Sequence, residues 1–220
     1  MAGLIINGER VDLHGVKLTT WKDDPLRAPH ITKGAVRLAA KVKSIMLHTS
    51  SGKLATVKPG ARASTLDESL ALYQARSTRP ASWHLTIGTD GEVIQQADLA
   101  TWMAWHAEMA NGWTVGIELV QHADDPSLYE VQLAAMVEVV RAACNAMGIP
   151  KRVMVGENGD PIVAPVKSLT LKKYGGREQV FNGVLGHSHV VPTTVRGPGD
   201  PGPEPFRALL RAGFEAVPSP

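Results

Sequence analysis

Apolar runs and turn residues alternate along the chain in a pattern that predicts short strands joined by hairpins, with helices between them. "LIINGERVDL" (Leu4 to Leu13) places Asn7-Gly8 between two apolar runs. That dipeptide accepts positive φ at both central positions of a tight turn, so a hairpin is expected. The segment from Trp21 to Gly34 is polar, with two prolines, and reads as a loop or arm. Ile45 to Leu47 predicts a strand that ends in His48. Thr65 and Glu68 match a capping box, which predicts a helix to about Arg76, stopped by Arg79-Pro80. "SWHLTIGTDGEVIQQAD" predicts a second hairpin turning at Asp90-Gly91, and Val115 to Val120 a short buried strand. Ser127 and Glu130 match another capping box, for a long helix ending near Gly148 and Pro150. Lys151 to Gly176 is polar and rich in Gly and Pro, and reads as an irregular insertion. Val180 to His187 predicts a strand and Phe206 to Phe214 a short terminal helix. This mixture predicts an α/β fold, a central mixed β-sheet flanked by helices. Residues 1–43 are expected to form an N-terminal hairpin and arm packed on a main domain of residues 44–220.

Composition narrows the class. With 220 residues, 44% hydrophobic and 20% charged, the chain suits one ordinary globular domain with an arm. A net charge of +2 is too balanced for nucleic acid as the main partner. No run approaches the ~20 apolar residues of a membrane span. The start, "MAGLIINGERVDLHGV", lacks a charged leader followed by a long apolar core, so synthesis in a cytoplasm without a cleavable signal is expected. The single cysteine, Cys144, excludes an internal disulfide and reads as a small buried hydrophobe.

Candidate chemistry gathers at strand ends. "VLGHSHVVPTTVRGPGDPGP" (Val184 to Pro203) puts His187 at a strand end and Asp200 in a stiff frame between Gly199 and Pro201. Zinc accepts imidazole nitrogen and carboxylate oxygen, and three protein ligands with one open position make a catalytic site. His48, His187 and Asp200 form such a set. On a continuous strand His187 and His189 would share a face, so spacing alone leaves His189 and Asp200 both open as third ligand. Glu118 lies in an otherwise apolar strand, which is costly unless it is paired or faces a cleft. Trp83, Trp102, Trp105 and Trp113 flank these motifs, as core packing or as walls of a groove.

The motifs "IMLHTSSG", "SWHLTIGTDGEVIQQAD", "AWHAEMANGWTVGIELV" and "VLGHSHVVP…GDPGP" occur in this order between Ser44 and Phe206. In that order they resemble the zinc-dependent N-acetylmuramoyl-L-alanine amidases, the family that includes phage amidase endolysins and peptidoglycan recognition proteins. The resemblance implies Zn2+ held by His48, His187 and Asp200, with His189 structural. It implies Glu118 of "GIEL" as catalytic acid–base group, and substrate contacts from His106 of "WHAE" and from Trp83. Glu108 stands where relatives commonly carry Gly, and Trp83 where they often carry a catalytic Tyr. Two residues before the third ligand, where relatives often have Lys or Thr, this chain has Pro198, which donates no hydrogen bond. Arg196 is then the candidate to stabilise an oxyanion, with Thr193 and Thr194 weaker. The implied function is hydrolysis of the amide between N-acetylmuramic acid and L-alanine in peptidoglycan, by a monomer acting on the cell wall after release, as a phage endolysin does. Two alternatives are a non-catalytic peptidoglycan-binding module and the same chemistry in an antibacterial toxin.

Overall fold

Asn7 at φ 53° and Gly8 at φ 83° turn the chain between β1 (Gly3–Ile6) and β2 (Glu9–Asp12), as the Asn-Gly pair predicts. Asp98 accepts from both backbone N–H groups of that turn. The computed structural model describes residues 3–50, 64–121, 127–191 and 200–220. After the hairpin come β3 (Leu18–Thr20), a stretch of turns, β4 (Gly34–Val36) and β5 (Ser44–Thr49). Helix α1 (Ser64–Arg76) precedes β6 (Leu85–Ile87) and β7 (Val93–Gln95), which pair antiparallel about Gly91 at φ 80°. β8 (Trp102–Ala104), β9 (Thr114–Leu119) and α2 (Glu130–Met147) follow. The chain closes with β10 (Arg152–Val155), β11 (Gly183–Gly186), a single turn α3 (His187–Val190), α4 (Glu204–Arg211) and β12 (Glu215–Pro218).

Eight strands form one mixed sheet in the order β12-β10-β11-β5-β9-β6-β7-β3. All its pairings are parallel except β6 with β7. β4 and β8 pair as a separate ribbon. The fold class expected from the sequence is thus the one observed.

Strand alternation divides the sheet into two faces. Ile45, Leu47, Leu85, Ile87, Val115, Ile117 and Val184 pack with α2 and α4 in the larger core. On α2 the buried positions Gln132, Met136, Val139, Val140 and Ala143 recur at helical spacing. Buried Gln132 donates to Ile87 O and Val120 O, which satisfies carbonyls at two strand ends. Gly148, at φ 64°, caps α2 in the left-handed conformation. Cys144 is buried on α2, and desolvation pushes its thiol up to about 12, so it behaves as a small apolar side chain. The opposite face carries Met46, Met154 and Leu185, packed with Ala107, Ala110 and Leu169. Candidate functional side chains belong to this second face.

Three local expectations change. α2 begins at Glu130 with Tyr129 as N-cap and no side-chain cap bond, so the Ser127 capping box does not set its start. The 151–176 segment is not wholly irregular: β10 lies inside it, between β12 and β11 of the main sheet. The apolar residues of β10 are Val153, Met154 and Val155, too short a run to stand out against the Gly and Pro of the segment. The strand before His187 stops at Gly186, and His187 and His189 sit on a helical turn. The Thr65 side chain of the other expected capping box lies outside the described residues, and Glu68 pairs with Arg27. Among the described residues no helix is long and apolar enough to cross a membrane.

Candidate active site

Parallel strands deliver their carboxyl ends to the same edge of a sheet, where α/β folds place their ligands. β5 and β9 run in register with His48 opposite Glu118, and β11 is aligned so that Gly186 lies opposite Leu47. His48, Glu118 and His187 therefore meet at one edge. The His48 and His187 rings stand 5.0 Å apart between centroids. Asp200 returns from a distant loop and sets Oδ1 3.2 Å from His187 Nδ1. The frame around Asp200 has a visible support. A Cβ added to Gly186 would lie 3.5 Å from Pro201 and 3.2 Å from Phe206, so the missing side chain lets the "DPGP" turn and α4 close on the strand end.

His106 completes the cluster. Its Nδ1 lies 2.9 Å from His48 Nε2, and its Nε2 lies 3.2 Å from Thr114 Oγ1. Its ring fits against β9 only because residue 116 is glycine: a Cβ there would be 2.7 Å from His106 Cγ. Asn111 Oδ1 accepts from the backbone N–H groups of His106 and Ala107, which fixes the loop that carries the ring. Arg37 braces the same loop from below, donating to the carbonyls of Leu99, Ala100, Asn111 and Thr114. Thr114, Gly116, Asn111 and Arg37 had not been singled out in the sequence. Period-two alternation was the available signal for two of them, because Thr114, Gly116 and Glu118 occupy one face of β9.

Glu118 is 8% exposed, and desolvation raises its carboxyl to about 8. No ion pair involves it among the described residues. His48 is held well below the ordinary imidazole value, first by burial and then by the neighbouring His106 and His187. It is therefore neutral at physiological pH, with a lone pair on one nitrogen. His189 has both nitrogens engaged: Nδ1 accepts from Gly186 N at 3.1 Å, and Nε2 donates to Ile162 O at 2.7 Å. Burial also holds its pKa down to about 4. Such a ring ties α3 to the 162–171 segment and has no nitrogen left for a metal.

Two imidazoles and a carboxylate are a donor set that zinc accepts, so the residues fit the metal in chemistry. Among the described residues no three of His, Cys, Asp or Glu form an already assembled metal cage. The side chains instead make two hydrogen-bonded pairs, His48 with His106 and His187 with Asp200.

The tryptophans separate by environment. Trp102 packs on Ile31, Ala97 and Ala104, and Trp113 on the second-face core. Trp105 is exposed at 38%. Trp83 packs on Leu70 and Val120 and donates from Nε1 to Thr86 Oγ1 at 2.8 Å. Thr86 is the register partner of Glu118 on β6, so Trp83 borders the same row of residues. Glu108 adopts φ 53°, a conformation that glycine takes at no cost. Its carboxylate is held by Tyr174 and Lys173, which fixes the "WHAE" loop from the 151–176 side. Thr193, Thr194, Arg196 and Pro198 lie outside the described residues.

His84 supplies a pH test of the floor beneath His106. It is fully buried, with Nδ1 accepting from Gly116 N at 3.0 Å and Nε2 donating to Trp102 O at 2.8 Å. Burial, then the Arg37 charge, lowers its pKa from 6.5 to about 3. The unfolded chain binds this proton more readily, so its contribution to stability is full above about pH 6.5 and is lost as pH falls toward 3. Urea unfolding of wild type and His84→Gln at pH 7 and pH 5 checks this. Between pH 7 and pH 5 the variant should lose about 2 kcal/mol less than wild type, the linkage of one proton bound by the unfolded chain near pH 6.5. An unchanged pH slope would show that His84 titrates normally.

A mixed sheet with a histidine–carboxylate cluster at the carboxyl ends of its parallel strands defines an amidase-like fold. Residues 38–203 match the N-acetylmuramoyl-L-alanine amidase family, and the chain belongs to that family. No curated protein sequence matches it. Among solved structures, the endolysin N-acetylmuramoyl-L-alanine amidase LysCS of Clostridium intestinale is 12% identical. It covers 93% of this chain and 99% of its own, with a TM-score of 0.50. The peptidoglycan recognition protein PGRP-SA of Apis mellifera is 13% identical and covers 93% and 100%, with a TM-score of 0.55. PGRP-SA of Drosophila is 12% identical and covers 93% and 95%, with a TM-score of 0.52. These likenesses establish the amidase and recognition-protein fold.

Proposed function

We propose that this protein hydrolyses the amide between the lactyl group of N-acetylmuramic acid and L-alanine, with Zn2+ held by His48, His187 and Asp200. The observation that carries this reading is the meeting, at one sheet edge, of that donor set with a separate carboxylate, Glu118, free of any ion pair among the described residues. Zinc, when bound, supplies a Lewis acid and lowers the pKa of a water from about 15.7 toward about 7. Glu118 takes a proton from the attacking water and returns it to the leaving amine nitrogen. Arg196 is the candidate that stabilises the oxyanion, and Trp83 borders the groove that receives the glycopeptide. Synthesis in a cytoplasm followed by action on the wall as a monomer, in the manner of a phage endolysin, completes the reading.

Mass spectrometry of products from purified peptidoglycan tests it. Free stem peptides with an L-alanine amino terminus are expected, and they should disappear with chelator and return with added zinc. Wall fragments that bind without any peptide release would make the protein a recognition module, the activity that the PGRP relatives' name describes.

A further inference from the structure

His106 lies at the site without belonging to the donor set, and its hydrogen bonds determine where the protons around it must be. Thr114 has one hydroxyl proton. Its Oγ1 stands 2.7 Å from Ala110 O and 3.2 Å from His106 Nε2. Two oxygens at 2.7 Å need a proton between them, whereas 3.2 Å suits an N–H···O bond. The threonine proton therefore goes to Ala110 O, and Thr114 Oγ1 accepts from His106 Nε2–H. His106 Nδ1 is then a bare acceptor, and the group 2.9 Å from it, His48 Nε2, must donate. One order of protons runs from the backbone of Ala110 through Thr114 and His106 to His48, across two rings and a strand.

We propose that Thr114 and His106 hold His48 in the Nε2–H tautomer, which leaves Nδ1 as the nitrogen with a lone pair for the metal. The proposal deepens the zinc reading of the site and rests on it. It makes His106 a positioning residue that acts through His48. Gly116 belongs to the same device, since a side chain there would displace the ring. Three alternate residues of β9 thus carry three duties: Thr114 orients the relay, Gly116 makes room for it, and Glu118 faces the cleft. Outer partners of metal-bound histidines raise ligand basicity and fix ring orientation, and their removal costs about 10–100-fold in metal affinity.

The test has two independent parts. In metal-free, 15N-labelled wild-type protein, long-range proton–nitrogen correlation reads the tautomers directly. His48 and His106 should each carry the proton on Nε2. The second part measures zinc affinity by chelator competition in Thr114→Val and Thr114→Ser. Valine keeps the shape and removes the hydroxyl, so affinity should fall about 10–100-fold. Serine restores the hydroxyl and should return affinity close to wild type. A proton on Nδ1 of His48 overturns the proposal, and so does wild-type zinc affinity in folded Thr114→Val. If Thr114→Val does not fold, the wild-type tautomers still decide. A wild-type chain that takes up no zinc overturns the zinc reading instead, and the His48 tautomer, read without metal, then decides the relay by itself.

Discussion

Glu118→Gln is expected to lower release of stem peptide from peptidoglycan by about 10²–10⁴, the usual worth of a positioned acid–base group. Glutamine keeps the shape of the side chain and cannot accept a proton. Glu118 stands on β9 between His48 of β5 and Thr86 of β6, at 8% exposure. With its carboxyl raised to about 8, Glu118 takes up a proton on folding at neutral pH that the unfolded chain does not hold, so replacing it with the neutral amide should leave stability unchanged or slightly raise it. Glu118 is outside the proposed donor set, so zinc content should stay near one per chain. Zinc content, melting temperature and peptide release measured on the same two samples separate the outcomes. A zinc-loaded, folded Glu118→Gln protein with near wild-type cleavage would remove Glu118 from the mechanism.

Asp200→Ala should lose bound zinc and, with it, turnover, while His189→Ala should keep zinc and lose stability. The contrast follows from the partners of the two side chains. Asp200 Oδ1 meets His187 Nδ1 at 3.2 Å, beside the His48 ring. Carboxylate oxygen is an ordinary zinc donor, and two imidazoles without it leave the metal weakly held. His189 spends both nitrogens on Gly186 N and Ile162 O. Its loss leaves buried backbone groups unpaired, which costs about 1–3 kcal/mol each, and opens a cavity beside Phe206, whose ring lies 5.7 Å away. Metal analysis after dialysis and urea unfolding report the two effects separately. Full zinc occupancy in Asp200→Ala, or zinc loss in a folded His189→Ala, would reverse the assignment.

Much of the frame was legible from local pattern. Asn7-Gly8 and Asp90-Gly91 mark turns through backbone preference alone, and both hairpins form around them. α2 follows from helical spacing and a terminal glycine. β10 and β12 were not legible. Each is four residues long, and β12 is largely exposed, so neither makes an apolar run long enough to stand out. Their existence is set by pairing with each other and with β11, a tertiary event. The stop at Gly186 was hidden for a related reason. Val184 and Leu185 read as a strand that runs on, but His189 folds back to accept from Gly186 N and starts a helical turn.

The sequence by itself determined the residue types available to the site and the strands that carry them. The order of the four motifs pointed to the family, and alternation on β9 put Gly116 and Glu118 on one face. Spacing left His189 and Asp200 both open and the resemblance implied Asp200; what the tertiary structure adds is that Gly186 N and Ile162 O occupy both nitrogens of His189. Only the tertiary structure decided what His106 touches. His48 and His106 are 58 residues apart in the chain, and no local spacing relates them. Parallel register of β5 with β9 brings His48 beside β9, and a missing side chain at Gly116 lets the His106 ring rest there. Contacts of that kind arise from which strands become neighbours, and hydrophobic periodicity, which reports only whether a side chain points in or out, carries no record of them.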